Sequence, residues 1–167
     1  MRTIVTLGVF ALLTATIVAQ RGSGQNQPAP SITDTKIVTA SDVAALVAGT
    51  PKDRNGNATM IRLAPYNVNM EHRIMNQAAS VHETEAELFY VIDGAGTVVT
   101  GGKLVEERRT NPENLTGTSI AGGVSKKVAK GDWIMVPAGI PHQFPAVEAS
   151  GLTLMSLHLP KKVGTNN

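Results

Sequence analysis

The chain contains no cysteine. That excludes disulfides, thiolate metal ligands and thiol nucleophiles, so any metal site must use histidine, carboxylate and water. A large charge of one sign is also missing. The formal net charge is +2, and no run of Lys or Arg is longer than two residues. This excludes the basic face that a nucleic-acid partner requires. There is no phosphate-cradling glycine loop, no dinucleotide fingerprint and no internal repeat. The apolar run from Ile4 to Val18 is short for a membrane span.

What is present suits a turn-rich globular protein. Of 167 residues, 42% are hydrophobic and 17% charged, with Gly 16 and Pro 9. A main domain of this size buries about two-thirds of its unfolded surface, enough for a real core.

The N-terminus reads as a secretory leader. Met1-Arg2 supplies a positive start, Ile4 to Val18 an apolar stretch, and Ala19 a small residue at the cut. The expected organisation is a leader over 1–19, a flexible linker over 20–35, one domain over 36–160 and a disordered tail over 161–167. The expected location is outside the cytoplasm, periplasmic or secreted, with no membrane contact for the mature domain. An uncleaved anchor is the alternative.

Ser41-Asp42 before the apolar stretch Val43 to Ala48, with Gly49 after it, predicts one short N-capped helix. Thereafter the pattern is that of strands. Met60–Leu63, Val68–Ile74, Leu88–Ile92, Thr97–Thr100, Trp133–Val136 and Leu152–Leu159 are apolar or β-branched runs. Several are separated by Gly94-Ala95-Gly96, Gly101-Gly102, Gly131-Asp132 and Ala138-Gly139. Short strands at such spacing predict an all-β sandwich or barrel. Glu106 to Val124 is polar and Gly/Ser/Thr-rich, and reads as a long loop, either a solvated excursion or a lid.

Two segments carry chemistry. In the first, His82 is followed after four residues by Glu87 and after six more by Gly94. In the second, Gly131 is followed after five residues by Pro137, after one by Gly139 and after two by His142. These spacings resemble the two motifs of the cupin superfamily. The first family motif ends in histidine, glutamate and glycine, and the second places glycine, proline, glycine and histidine at these intervals. The resemblance covers roughly Ala58 to Leu159. It implies a double-stranded β-helix (jelly-roll) barrel and a bound metal. The chain departs from the family pattern at three points. Ser80 stands where the first motif has its first histidine, the leading glycine of that motif is absent, and Ala146 replaces the closing asparagine of the second.

The expected ligands are therefore His82, Glu87 and His142, around one divalent ion such as Zn, Mn, Fe, Ni or Cu. Two imidazoles and a carboxylate suit these ions and leave coordination positions open. Strand alternation puts Glu87, Phe89 and Val91 on an inner face and Leu88, Tyr90 and Ile92 on the other. Ser80, two residues before His82, shares the inner face and is placed to hold a water. His72 offers a replacement ligand or a proton shuttle; the plainer reading is a solvent-facing strand histidine. His158 reads as structural, Glu83 and Glu85 as solvated loop carboxylates, and Tyr90, Trp133 and Met135 as core or dimer surface.

The expected function is a metal-dependent enzyme acting on a small-molecule substrate. Isomerase or lyase chemistry and non-haem dioxygenase chemistry both remain open, with a non-catalytic binding protein as the alternative. By analogy with similar proteins, a homodimer is expected.

Overall fold

The structure, a computed structural model, describes residues 35–160. The expected leader, nearly all of the linker and the C-terminal tail lie outside the described residues. Helix α1 spans Ala40–Ala48 and is capped by Thr39, earlier than the sequence pattern places the cap. The Thr39 hydroxyl accepts from the Asp42 N–H at 3.2 Å, and Asp42 Oδ2 accepts from the Thr39 N–H at 2.9 Å. This reciprocal capping box uses an acidic side chain three residues on, which Ser41 lacks. Gly49 ends the helix as expected.

The rest of the described chain is strand: β1 (Gly56–Leu63), β2 (Tyr66–Arg73), β3 (Ala79–His82), β4 (Glu85–Thr100), β5 (Lys103–Val105), β6 (Arg108–Asn111), β7 (Asn114–Gly117), β8 (Ser119–Ala121), β9 (Val124–Ala129), β10 (Trp133–Val136) and β11 (His142–Pro160). All pairings are antiparallel. The main sheet runs β1-β2-β11-β3-β7-β6, and β4 joins it by pairing with β11, β9 and β10. Strands β5 and β8 form a separate ribbon. The long partners β4 and β11 are the spine of the all-β barrel.

Two expectations change here. Leu88–Ile92 and Thr97–Thr100 belong to one strand, and Gly94-Ala95-Gly96 is a bend within it. Gly94 has φ +80, and a Cβ there would lie 2.0 Å from the Gly151 carbonyl oxygen. The glycine therefore admits a close approach of β11 where its register with β4 shifts. The segment Glu106 to Val124 is also no loop. It holds β6, β7 and β8, and β7 pairs with β3 beside His82. Its polar residues fit antiparallel strands with a face to water, with β6 at the edge of the sheet and β7 inside it.

The core is one apolar cluster inside the barrel. Phe89 and Val91 of β4 meet Phe144, Leu152 and Leu154 of β11, with Val98, Val128 and Val136 around them. The Phe89 and Phe144 rings meet edge-on at 5.2 Å between centroids, a favourable arrangement of their quadrupoles. The alternation expected for β4 holds: Glu87, Phe89 and Val91 are buried, and Leu88, Tyr90 and Ile92 are half-buried on the other face. Trp133 and Met135 are not core. They are exposed on the outer face, and the Trp133 ring lies 4.6 Å from that of Tyr90.

Candidate metal centre

Three strands converge at one end of the apolar cluster. His82 closes β3, Glu87 lies near the start of β4, and β11 contributes His142 at its first residue and His158 near its last. Register sets their faces. His142 pairs with Ser80 across β11 and β3, and His158 pairs with Glu87 across β11 and β4. Since side chains alternate with period two, Ser80 and His82 share the face of His142, and His158 shares that of Glu87. The Gly139 N–H donates to the His82 carbonyl at 2.8 Å, which ties the second motif to the first.

All three rings aim Nε2 at the same carboxylate. His142 Nε2 lies 3.0 Å and His82 Nε2 3.3 Å from Glu87 Oε2, while His158 Nε2 lies 3.3 Å from Oε1. One donor atom each from His82, Glu87 and His158 fall within 4.8 Å of one another. Glu87 and His142 are buried, and the His82 and His158 side chains are 21% and 27% exposed, so the cluster opens to solvent on their side.

Two of the rings, His82 and His142, are hydrogen-bonded from behind at Nδ1, while His158 Nδ1 lies near a carboxylate without an aligned hydrogen bond. That atom of His82 lies 2.6 Å from Asn114 Oδ1, that of His142 lies 3.3 Å from the Ile140 carbonyl, and that of His158 lies 3.1 Å from Glu85 Oε2. A carbonyl and a carboxylate both only accept, so His142 faces an acceptor at each nitrogen, and its Nε2 becomes a ligand for a cation when that nitrogen is unprotonated. Acceptors behind imidazoles are the arrangement that orients metal-binding histidines.

Electrostatics make the same point. Burial works against the Glu87 anion, yet the three histidines outweigh it and hold its carboxyl well below the usual range. Burial would lower His82, but Glu87 and Asn114 raise it; Glu87 raises His158 against its burial. A buried carboxylate costs several kcal/mol unless compensated. Here Oε2 is buried with two ring nitrogens nearby but no well-aligned hydrogen bond. Either extra protons on the rings or a cation would satisfy the cluster. Two donors each about 2.1 Å from one ion and at right angles lie about 3.0 Å apart, close to the separations found. Imidazoles with a carboxylate are the donor set of a borderline divalent ion. The residues fit a metal.

The structure sets both His82 and His142 against Glu87, but the donor atoms that lie within 4.8 Å of one another are those of His82, Glu87 and His158, a histidine that reads as structural in the sequence, and His142 is not among them. Ser80 is half-buried on the His142 face, as expected. His72 is neither solvent-facing nor near the cluster. It is buried and its Nδ1 lies 2.9 Å from Thr153 Oγ1. It pairs with Thr153, an odd number of residues from His158 on β11, and so faces the opposite side of the sheet. Burial lowers its pKa, with Lys52 adding to the effect. His72 is therefore neither fourth ligand nor shuttle.

Sequence reasoning also misses Asn114, the support behind His82, and the placing of Glu85 beside His158. The alternation Leu154, Ser156, His158 is the one signal that could turn His158 inward. Beyond His158 the interior stays polar. Ser156 Oγ donates to Glu71 Oε1 at 2.6 Å, Glu71 also pairs with Arg73, and the Arg73 guanidinium stacks 4.5 Å over Phe144.

No family model and no curated protein matches the chain. Solved structures do. TT1209 from Thermus thermophilus is 18% identical with a TM-score of 0.53, covering 75% of this chain and 98% of its own. BH2720 from Bacillus halodurans is 16% identical, TM-score 0.53, over 80% and 87%. NMB1881 from Neisseria meningitidis is 12% identical, TM-score 0.51, over 74% and 99%. At these identities the likeness is one of fold.

Proposed function

We propose that this protein, whose fold is that of the cupin superfamily, is a metal-dependent enzyme that acts on a small molecule. One observation carries the proposal: three imidazoles, two of them hydrogen-bonded behind at Nδ1, converge through Nε2 on a buried carboxylate. His82, Glu87 and His158 would hold one divalent ion, with His142 Nε2 against the same carboxylate. Bound there, the ion would supply Lewis acidity toward a substrate carbonyl or hydroxyl.

The protein's own residues do the rest. Asn114 and the Ile140 carbonyl orient the His82 and His142 rings, and Phe89, whose ring centroid lies 6.0 Å from that of His142, excludes water from the inner side. The Ser80 hydroxyl stands on the ligand face, placed to hold a water or a substrate hydroxyl. The tightest donor set, His82, His158 and Glu87, is again two imidazoles and one carboxylate, so isomerase or lyase chemistry and dioxygenase chemistry both stay open.

The test is to purify the mature domain and measure its metal content by mass spectrometry. A redox-inert ion at one per chain supports the proposal. Bound iron with substrate-dependent oxygen uptake would move it to the dioxygenase class. No bound metal, with a melting temperature indifferent to Zn, Mn, Ni and Fe, would leave a non-catalytic binding protein.

Export to the periplasm or the exterior, and a homodimer, complete the proposal. The exposed Trp133 and Met135 beside Tyr90 support a second copy on the outer face. Among the described residues no helix is long and apolar enough to cross a membrane. Cell fractionation tests export, and light scattering tests the dimer.

A further inference from the structure

The β6–β7 hairpin does more than edge the sheet. Its turn contains a chain of hydrogen bonds whose directions can be assigned without seeing a hydrogen. It starts at the Glu113 backbone N–H, which can only donate, and Asn111 Oδ1 accepts from it at 2.9 Å. That orients the Asn111 carboxamide, because its NH2 would otherwise face another N–H. The same Oδ1 lies 3.0 Å from the Asn114 carboxamide nitrogen, which therefore donates to it. The Asn114 orientation follows: its Oδ1 faces His82 Nδ1 at 2.6 Å and accepts from it. A neutral His82 ring has one proton for two acceptors, and Asn114 at 2.6 Å is nearer to Nδ1 than Glu87 at 3.3 Å is to Nε2, so the proton is placed on Nδ1.

The hairpin is fixed to the ligand strand at a second place. The residue after His82, Glu83, donates its N–H to the Glu113 carbonyl at 2.8 Å. The Glu83 carboxylate accepts from Arg109 Nη1 at 2.6 Å and Nη2 at 3.1 Å, and Nη1 also reaches the Pro112 carbonyl at 2.9 Å. The turn and the ligand strand are thereby held in one arrangement.

We propose that Asn114, oriented by Asn111, is the positioning residue that keeps His82 in its metal-accepting tautomer. The inference rests on the metal-binding reading above, but part of its test does not need metal. In the metal-free protein, well above the pH range of imidazole titration, two-bond proton–nitrogen correlation spectra should show His82 protonated at Nδ1. Asn114→Leu, similar in size but without an acceptor, should move His82 toward the Nε2–H form. It should also weaken zinc binding by about 10–100-fold, the range for loss of such a support. Asn114→Asp keeps the acceptor and should preserve the tautomer.

If Asn114→Leu does not fold, Asn111→Ala asks the same question by freeing the Asn114 carboxamide to rotate. Its expected result is a mixture of His82 tautomers and weaker zinc binding. A wild-type His82 protonated at Nε2 would overturn the inference, as would unchanged tautomer and zinc affinity in the folded variant tested. Wild-type protein that binds no metal but shows the Nδ1–H form would instead overturn the proposed function and leave the role of Asn114 standing.

Discussion

Glu87 and Phe89 lie two residues apart on β4, point into the same interior and are both buried. Their surroundings differ in kind. Phe89 meets Phe144 and the aliphatic side chains of β4 and β11, where burial of apolar surface is favourable in itself. Glu87 meets three imidazoles, and its burial is unfavourable until protons or a cation compensate it. One end of the barrel therefore holds the fold together, while the other is sustained by it. The difference separates stability from binding along a single strand.

The first way to break this comparison has the largest expected effect. Structural zinc is worth about 10–16 kcal/mol over four ligands, so one ligand carries about 3–4 kcal/mol. We predict that Glu87→Leu weakens zinc binding by about a hundredfold to a thousandfold in competition titrations. The metal-free protein should melt no lower than wild type, because a buried charge has been replaced by an apolar group. A sharp fall in its melting temperature would mean that Glu87 stabilises the fold as Phe89 does.

Leu154→Ala probes the apolar end. It should cost about 2–5 kcal/mol in urea unfolding, the range for a fully buried leucine. Zinc should still bind at one per chain, and loss of that stoichiometry would show the two ends to be coupled.

His158 and His72 sharpen the comparison further. His158→Ala should weaken zinc binding by about 10–100-fold, less than Glu87→Leu because this ligand is partly exposed. His72→Ala should leave zinc affinity unchanged. Equal effects from the two would remove His158 from the site.

The smallest effect is in pH. In the metal-free protein His82 and His158 are raised above 6.5, so their stabilisation is complete below 6.5 and lost as pH rises through the raised values. Zinc needs the same rings unprotonated. The rise in melting temperature on adding zinc should therefore be small below 6.5 and grow above it. A zinc effect that shrinks with rising pH would contradict the cluster as a metal centre.

Much of this was legible in the residues. Period-two alternation placed Glu87 and Phe89 inside, and two spaced motifs named His82, Glu87 and His142. His158 was not legible, because its position opposite Glu87 depends on register shifts at Val147/Leu152 and Thr153/Leu154. His72 was misjudged for a related reason: only its pairing with Thr153 reveals the face it occupies. Asn114 lay in a segment whose polarity resembled a loop, although polar residues are equally at home in antiparallel strands with one face to water.

By itself the sequence determined the all-β class, the absence of thiol chemistry and the chemical type of the ligands. These follow from composition and local periodicity, which each segment carries independently. Only the tertiary structure decided the place of His158 opposite Glu87 and the support of His82 by Asn114. Those depend on how distant strands pair, and a shift of one residue turns a side chain from the interior to the other face of the sheet.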